Sequence, residues 1–158
     1  MRIKARGVLA IALIPAGAAC QDLGRPAEEP AYCRELQQIV SLATTKERFS
    51  SITGASREGS FASTRLSLSG WSDCALYGSR TYTCDSMRIR SEPEAERALQ
   101  TIVGEIRACL GTAWSEVRDR SSASYVDLHG LDAVSITLNT DRLDEDFVVR
   151  LTMFLRAQ

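Results

Sequence analysis

Residues 71–111 carry the strongest structural signals in the chain and read WSDCALYGSRTYTCDSMRIRSEPEAERALQTIVGEIRACLG. The first part places Cys74 and Cys84 on either side of a turn over residues 78–80. Three-residue hairpin loops that contain glycine are a common class, and such a loop sets the two cysteines opposite each other. Directly opposed residues of a non-hydrogen-bonded antiparallel pair have Cα atoms about 4.5 Å apart, which a disulfide accepts. The spacing therefore predicts a β-hairpin closed by its own disulfide.

An amphipathic helix is predicted directly after this hairpin. Ser91 suits the N-cap, Glu94 completes a capping box, and Pro93 lacks an N–H at a position where none is needed. Apolar residues then recur at three- and four-residue steps up to Gly111, a typical C-terminal stop. The stripe consists of Ala95, Ala98, Leu99, Ile102, Val103, Ile106, Cys109 and Leu110. Cys109 therefore lies on the buried side, at the far end of the helix.

A first helix is predicted from residue 32 to about residue 48, with Cys33 near its start. Antiparallel packing of the two helices would bring Cys33 next to Cys109. Four cysteines allow three connectivities, and the sequence does not exclude the other two. Helix polarity and hairpin register favour the pairs Cys33–Cys109 and Cys74–Cys84.

The remaining strands are predicted from the alternation of apolar and polar residues. The candidates are residues 61–70, the two hairpin strands with an extension over 87–89 after a bulge near 85–86, and residues 125–129, 133–140 and 147–155. Residues 54–59 and 114–124 are predicted to be polar, irregular connections.

The short connections between the last strands favour antiparallel pairing. The expected fold class is α+β: an antiparallel sheet of five to six strands with two helices packed on one face, in the order α-β-β-α-β-β-β, with two disulfides. The unit of one helix followed by strands occurs twice, which hints at an internal duplication.

The N-terminus predicts export and a three-part organisation. Residues 1–20 have a basic start, a short apolar core and small residues before a cysteine, the pattern of an export signal. Residues 21–31 are rich in proline and glutamate and indicate a flexible tether, although a frayed terminus would have the same composition. Residues 32–158 are then one domain. Since no other run is long and apolar enough to span a bilayer, we expect no integral membrane protein.

Cys20 is a candidate lipidation site. The sequence Gly17-Ala18-Ala19-Cys20 resembles the lipobox of bacterial lipoproteins, although that motif usually has an aliphatic residue where Gly17 stands. Five cysteines leave one unpaired, and lipidation of Cys20 leaves the other four as an even set, although cleavage just after Cys20 would also remove the odd thiol. Ala16-Gly17-Ala18 also fits ordinary signal cleavage, so simple secretion is the alternative. The expected location is the periplasm or outer surface of a bacterial cell, with a lipid anchor at Cys20 as the only membrane contact.

The charge of the chain argues against nucleic acid as a partner. The whole chain has 19 basic and 20 acidic residues, and loss of residues 1–20 removes three basic ones, which leaves a net charge of about −4 with histidine neutral. A mildly acidic chain without a basic cluster lacks the electrostatic footprint of a nucleic-acid-binding protein. We therefore expect the partner to be another protein of the cell envelope.

The sequence predicts no catalytic residue, no metal site and no cofactor. His129 is the only histidine; it lies two residues after Asp127, and the chain has no Gly-x-Ser-x-Gly elbow. A single histidine does not meet the usual ligand set of a catalytic zinc, and disulfide-bonded cysteines are not thiolate ligands. The acidic residues at 141 and 144–146 lack the spacing of a calcium loop and indicate a solvated hairpin loop. No phosphate loop or dinucleotide motif is present.

Trp71, Tyr77 and Arg80 around the cysteine hairpin are the candidate binding residues. Aromatic side chains on a rigid support offer a large contact area at low entropic cost. The alternative interpretation places Trp71 and Tyr82 in the core and only Tyr77 on the outside. The favoured function is that of an exported, non-catalytic binding module, in its most specific form an inhibitor or immunity-type protein. A structural or accessory envelope lipoprotein and a small hydrolase that uses carboxylates are the alternatives.

Overall fold

The computed structural model describes residues 29–56, 59–78, 80–117, 125–130 and 134–156. Within them the α+β class, the two helices, the antiparallel sheet and the two disulfides are confirmed. The predicted export signal, its Cys20 and most of the predicted tether lie outside the described residues, so these assignments stay predictions.

Two helices, a short 3-10 helix and eight strands make up the described part of the fold. They are α1 (Cys33–Ala43), the 3-10 helix (Arg48–Ile52), β1 (Thr53–Ser56), β2 (Phe61–Thr64), β3 (Ser72–Tyr77), β4 (Thr81–Asp85), α2 (Glu92–Leu110), β5 (Ser115–Val117), β6 (Tyr125–His129), β7 (Val134–Leu143) and β8 (Asp146–Leu155). The strands form one sheet in the order β1-β2-β3-β4-β8-β7-β6-β5, and every neighbouring pair is antiparallel. One helix followed by four strands thus occurs twice, and the strand order has two-fold symmetry about the β4–β8 pair.

The predicted count of five to six strands and the order α-β-β-α-β-β-β are wrong. The two strands that the prediction lacks are β1, in a stretch taken for a polar connection, and β5, in a stretch taken for irregular. Both lie at the edges of the sheet, are four and three residues long, and contain mainly small or polar residues. Short edge strands bury little surface on either face, so they lack the apolar alternation that identifies a strand.

The predicted strand over residues 61–70 is also too long, because β2 ends at Thr64. The Thr64 hydroxyl donates to the carbonyl of Leu66 and accepts from the Leu66 N–H, at 3.0 and 3.2 Å, and this turn takes the chain out of the sheet. Leu68 then reaches the core from an irregular segment and is 1 % exposed. The alternation of Leu66 and Leu68 thus reflects burial without a strand.

The irregularity in the cysteine hairpin lies on β3 and not near residues 85–86. Tyr77 pairs with Thr81, as the turn position requires, but the register shifts between Ser72 and Ala75. Asp73 lies inside this shift and has a left-handed backbone, with φ at 46°. The predicted strand extension over residues 87–89 is reduced to one isolated bridge. Because of this shift, the position of Asp73 does not follow from the alternation of inward and outward residues along the hairpin.

The helices begin close to their predicted first residues. The first ends at Ala43, earlier than the predicted residue 48, and a short 3-10 helix follows it. The second ends where predicted, with Gly111 at φ 76° and its N–H donating to the Arg107 carbonyl at 2.9 Å. Ser91 is extended at the N-cap but makes no side-chain cap hydrogen bond, so the predicted capping box is not formed.

The core lies between the helices and one face of the sheet. Its side chains come from α1, α2 and the alternate inward positions of the central strands. The largest fully buried side chains are those of Tyr82, Phe49, Leu36, Ile39, Leu68, Leu76, Leu99, Ile106, Leu128, Ile136, Leu138 and Leu151. Tyr82 donates its hydroxyl to the Leu66 carbonyl at 3.1 Å, and its burial raises the pKa of the phenol above the usual value.

Two disulfides brace this core, with the pairing that helix polarity and hairpin register favour. Cys33–Cys109 joins the start of α1 to the end of α2, with Cα atoms 5.2 Å apart. Cys74–Cys84 crosses the β3–β4 hairpin, with Cα atoms 4.1 Å apart. Gln37 supports the first bridge by donating to the Cys109 carbonyl at 2.7 Å.

Both bridges indicate an oxidising location outside the cytoplasm. Neither described helix combines the length and apolarity that crossing a membrane requires.

The two bridges should contribute unequally to stability. They close loops with sequence separations of 76 and 10, and the entropy that a bridge removes from the unfolded chain grows with loop length. We expect the Cys33→Ala/Cys109→Ala pair to lower the free energy of unfolding by about 4–5 kcal/mol, and Cys74→Ala/Cys84→Ala by somewhat under 3 kcal/mol. Urea denaturation of the two double variants measures both values. An equal loss in the two variants would contradict the assignment of the long bridge as the main brace.

Candidate functional site

The candidate site lies on the face of the sheet that the helices do not cover, which we call the open face. Alternate residues of each strand point to opposite faces, so every strand that supplies the core also supplies this face. The registers align its residues in three rows across the sheet. The rows are Phe61, Tyr77, Thr81, Phe154, Ser135, His129 and Ser115; then Ser63, Ala75, Thr83, Thr152, Thr137, Asp127 and Val117; and then Asp85, Arg150, Asn139 and Tyr125.

A groove of about 500 Å³ crosses the open face over β3, β4 and β8. Its floor belongs to the middle row, where the side chains are small, and the rows on either side supply its walls. The floor consists of Ala75, Thr83 and Thr152; one wall consists of Phe61, Tyr77 and Thr81, and the other of Asp73, Asp85 and Arg150. The groove therefore has an aromatic wall and a charged wall.

The aromatic wall is an exposed pair of rings. Phe61 and Tyr77 are direct cross-strand neighbours, with ring centroids 5.3 Å apart and planes inclined by 60°. They are 45 % and 52 % exposed, respectively, although both side chains are large and apolar. The β3 strand that carries Tyr77 is tied to β4 by the Cys74–Cys84 bridge on the opposite face. The braced hairpin thus holds Tyr77 at the surface, and Phe61 contacts Tyr77 from β2.

The charged wall centres on Arg150. Its guanidinium donates from Nε and from one terminal nitrogen to the two oxygens of Asp85, at 2.7 and 2.9 Å, and from the other terminal nitrogen to Asp141. The hydrogen bonds to Asp85 raise the pKa of Arg150 above its usual value; burial opposes this shift, and the two negative charges reinforce it. Asp85 is 7 % exposed, so its charge is compensated almost entirely by Arg150. The arginine thus lies fixed between two carboxylates.

Asp73 is the carboxylate of the groove that lacks a compensating charge. It lies at the register shift of β3 and is exposed, and among the described residues its carboxylate has no hydrogen-bond or ion-pair partner. With Asp73 and Asp85 against Arg150, the lining of the groove carries a net charge of −1. Asp141, bound to Arg150 at the margin, makes this region more negative still.

The floor of the groove adds one buried polar atom. The hydroxyl of Thr83 has almost no solvent exposure and no hydrogen-bond partner within the described part of the chain. Buried hydroxyl groups usually have such a partner. Thr83, between the aromatic and charged walls, therefore holds a hydroxyl that is closed to solvent and unpaired among the described residues.

His129 lies at the end of β6, on the open face but outside the groove. Its Nδ1 is 2.9 Å from a terminal nitrogen of Arg156, and its Nε2 is 3.7 Å from Asp127. Because an arginine can only donate, Nδ1 must accept, and the imidazole proton lies on Nε2. The ring then has no free lone pair to take a proton from its cross-strand neighbour Ser135, so these side chains do not form a working triad.

The three candidate binding residues lie in different parts of the structure. Trp71 packs against the core, with its ring 6.0 Å from that of Tyr32 in an edge-on contact. Tyr77 belongs to the aromatic wall, whereas Arg80 is exposed in the hairpin turn. Phe61, Asp73 and Arg150 also line the groove but are not among the predicted binding residues. Arg150 alternates with buried apolar residues of β8, which signals an outward position, but no local signal indicates that β8 lies beside β4.

The predicted acidic loop is a two-residue turn between β7 and β8. Asp144 adopts a left-handed backbone there, with φ at 60°. Arg88 approaches Asp144 and Asp146 at 3.6 and 3.5 Å, and Asp141 belongs to β7 instead. Among the described residues no three histidine, cysteine, aspartate or glutamate side chains are grouped so that they could hold a metal ion.

Comparison with known protein families, with curated proteins and with solved structures finds no match. The function of the open face must therefore be inferred from its own geometry.

The Asp85–Arg150 pair should be energetically coupled. Arg150→Met leaves the nearly buried Asp85 carboxylate without its partner, and we expect a loss of about 2 kcal/mol in the free energy of unfolding, less than for a fully buried pair because Arg150 is partly exposed. The double variant Asp85→Asn/Arg150→Met should lose less than the sum of the two single variants. Urea denaturation provides the four values, and Arg88→Met, at an exposed ion pair, should change stability by less than about 0.5 kcal/mol. Additive losses would show that the pair is not coupled.

Proposed function

We propose that this protein is an exported, non-catalytic module that binds another protein through its open face, with the groove at the centre of the contact. The observation that carries the proposal is the exposed Phe61–Tyr77 pair beside a groove, with Tyr77 on a disulfide-braced hairpin. Large aromatic side chains supply much of the binding energy at protein interfaces, above all where they border a pocket. An inhibitor or immunity-type protein that covers a site on its partner is the specific form of this proposal.

The rigidity of the open face supports a binding role. The groove lies over the three adjacent strands β3, β4 and β8, and the Cys74–Cys84 bridge fixes the hairpin that carries Tyr77 and Thr81 of the aromatic wall. Arg150 is held by bonds to two carboxylates and cannot reorient freely. A surface that is already ordered loses little conformational entropy on association, which favours affinity.

The hydrolase alternative has one observation in its favour, since the groove contains the two carboxylates Asp73 and Asp85. A glycosidase needs one protonated carboxyl as general acid and a second carboxylate as nucleophile or base. Both oxygens of Asp85 accept hydrogen bonds from Arg150, and this bidentate contact occupies them. Asp73 is then left without a second carboxyl free to react, and we propose binding in preference to hydrolysis.

A lipid anchor at Cys20 is compatible with this role. The described chain enters the fold at α1, on the helix side of the sheet, so a tether from Cys20 would join the domain on the side opposite the open face. Residues 21–31 could span up to about 35–40 Å when extended, enough to hold the domain away from a membrane. A structural or accessory lipoprotein would depend on the same anchor but not on the groove.

The anchor can be tested separately from the binding role. If Cys20 is lipidated, Cys20→Ala should move the protein from the membrane fraction to the aqueous fraction of the producing cell, because a single cysteine carries the lipid. Intact mass analysis of the wild-type protein, with and without reduction, should show the lipid together with two disulfides. Unchanged fractionation of Cys20→Ala would exclude the anchor.

The binding role predicts that partner capture depends on the aromatic wall. We expect Phe61→Ser/Tyr77→Ser to weaken capture of a partner from the native envelope by about 30-fold, the equivalent of about 2 kcal/mol. Quantitative pull-down after chemical cross-linking measures the loss. Met87→Ser is the matched control, since Met87 is 73 % exposed but lines no part of the groove. Equal capture by both variants, each shown to be folded, would contradict binding through the open face.

A further inference from the structure

We infer that the groove receives a lysine or arginine side chain of the partner protein. This inference rests on the proposed function and adds the chemical identity of the group that enters the groove. Its basis is the combination of surplus negative charge and exposed aromatic rings in one groove.

The charges of the groove select a cation over an anion. Arg150 is the cationic side chain of the lining, and it already donates from all three of its nitrogens to Asp85 and Asp141. An incoming carboxylate would have to displace one of these bonds and would meet the uncompensated Asp73. An incoming ammonium or guanidinium group meets Asp73 directly and lowers the net negative charge. Electrostatic complementarity of this kind suppresses the wrong partner as much as it favours the correct one.

The aromatic wall favours the same type of group. Phe61 and Tyr77 are inclined to each other and about half exposed, so their ring faces remain open to a partner. A cation within about 6 Å of an aromatic ring centroid is attracted by the ring quadrupole, and arginine and lysine stems also pack well on aromatic surface. Asp73 on the opposite wall then provides the counter-charge, so one basic side chain could contact both walls.

A library of random disulfide-cyclised peptides, displayed on phage and selected on the immobilised full chain, tests this inference. Selected peptides should share a lysine or arginine at one position. Their binding to Asp73→Asn should weaken about fivefold, the upper range for an exposed ion pair. Asparagine tolerates the left-handed backbone of residue 73 well, so this variant removes the charge without backbone strain. Asp144→Asn is the matched control: Asp144 is also exposed and left-handed, but it lies outside the groove lining, and binding should not change.

A double-mutant cycle identifies the contact. Replacement of the shared basic residue by glutamine should weaken binding to the wild-type protein, but the same replacement should have little further effect on Asp73→Asn. The inference would be overturned if the selected peptides lacked a basic residue, or if none of them depended on Asp73. It would also be overturned if the replacement of the basic residue and Asp73→Asn weakened binding independently, so that their fold-changes multiply. If peptides without a basic residue still require Phe61 and Tyr77, the inference fails while binding through the open face stands. If selected peptides bind Phe61→Ser/Tyr77→Ser as well as the wild type, both fail.

Discussion

The pairing of β4 with β8 is the interaction on which the rest of the structure depends. Each strand closes one of the two four-strand halves, and their ladder of five residue pairs, from Thr81 opposite Phe154 to Asp85 opposite Arg150, joins the halves into one sheet. Inward residues of this ladder complete the core, whereas outward residues form part of the groove floor and its charged wall. Without this pairing Asp85 would lose Arg150, and Thr83 would lose its neighbour Thr152. The candidate site is therefore a product of the way in which the two halves meet.

The two faces of the sheet differ in composition: one holds the fold together, and the other carries the groove that we propose for recognition. On the helix side both disulfides and nearly all of the large apolar side chains hold the domain together. On the open face the remaining side chains that line the groove are small, polar or charged, with the Phe61–Tyr77 pair as its exposed apolar feature. Period-two alternation produces both faces from the same strands. Changes to the open face should thus alter binding at less cost to stability than changes on the helix side.

The features that the sequence could predict depend on local order. Cys74 and Cys84 lie at equal distances from one turn, and the stripe that ends at Cys109 has a clear helical period, so the hairpin, α2 and the favoured disulfide pairing all follow from short spacings. The features that could not be predicted depend on contacts between distant residues or have only a weak sequence pattern. β1 and β5 are short edge strands without alternation, and the register shift at Asp73 breaks the alternation of β3. Because Asp85 and Arg150 are 65 residues apart in the chain, no short spacing brings them together.

Binding through the open face is the central claim, and hydroxyl-radical footprinting of the protein in its native envelope tests it most directly. Aromatic and methionine side chains are oxidised in proportion to their exposure, so the same experiment reports on the groove and on a surface away from it. Compared with the purified protein, Phe61 and Tyr77 should be protected in the envelope, while Met87, the most exposed of the large apolar side chains described, should be oxidised equally in both samples. Equal oxidation of all three residues in the two samples would contradict the claim.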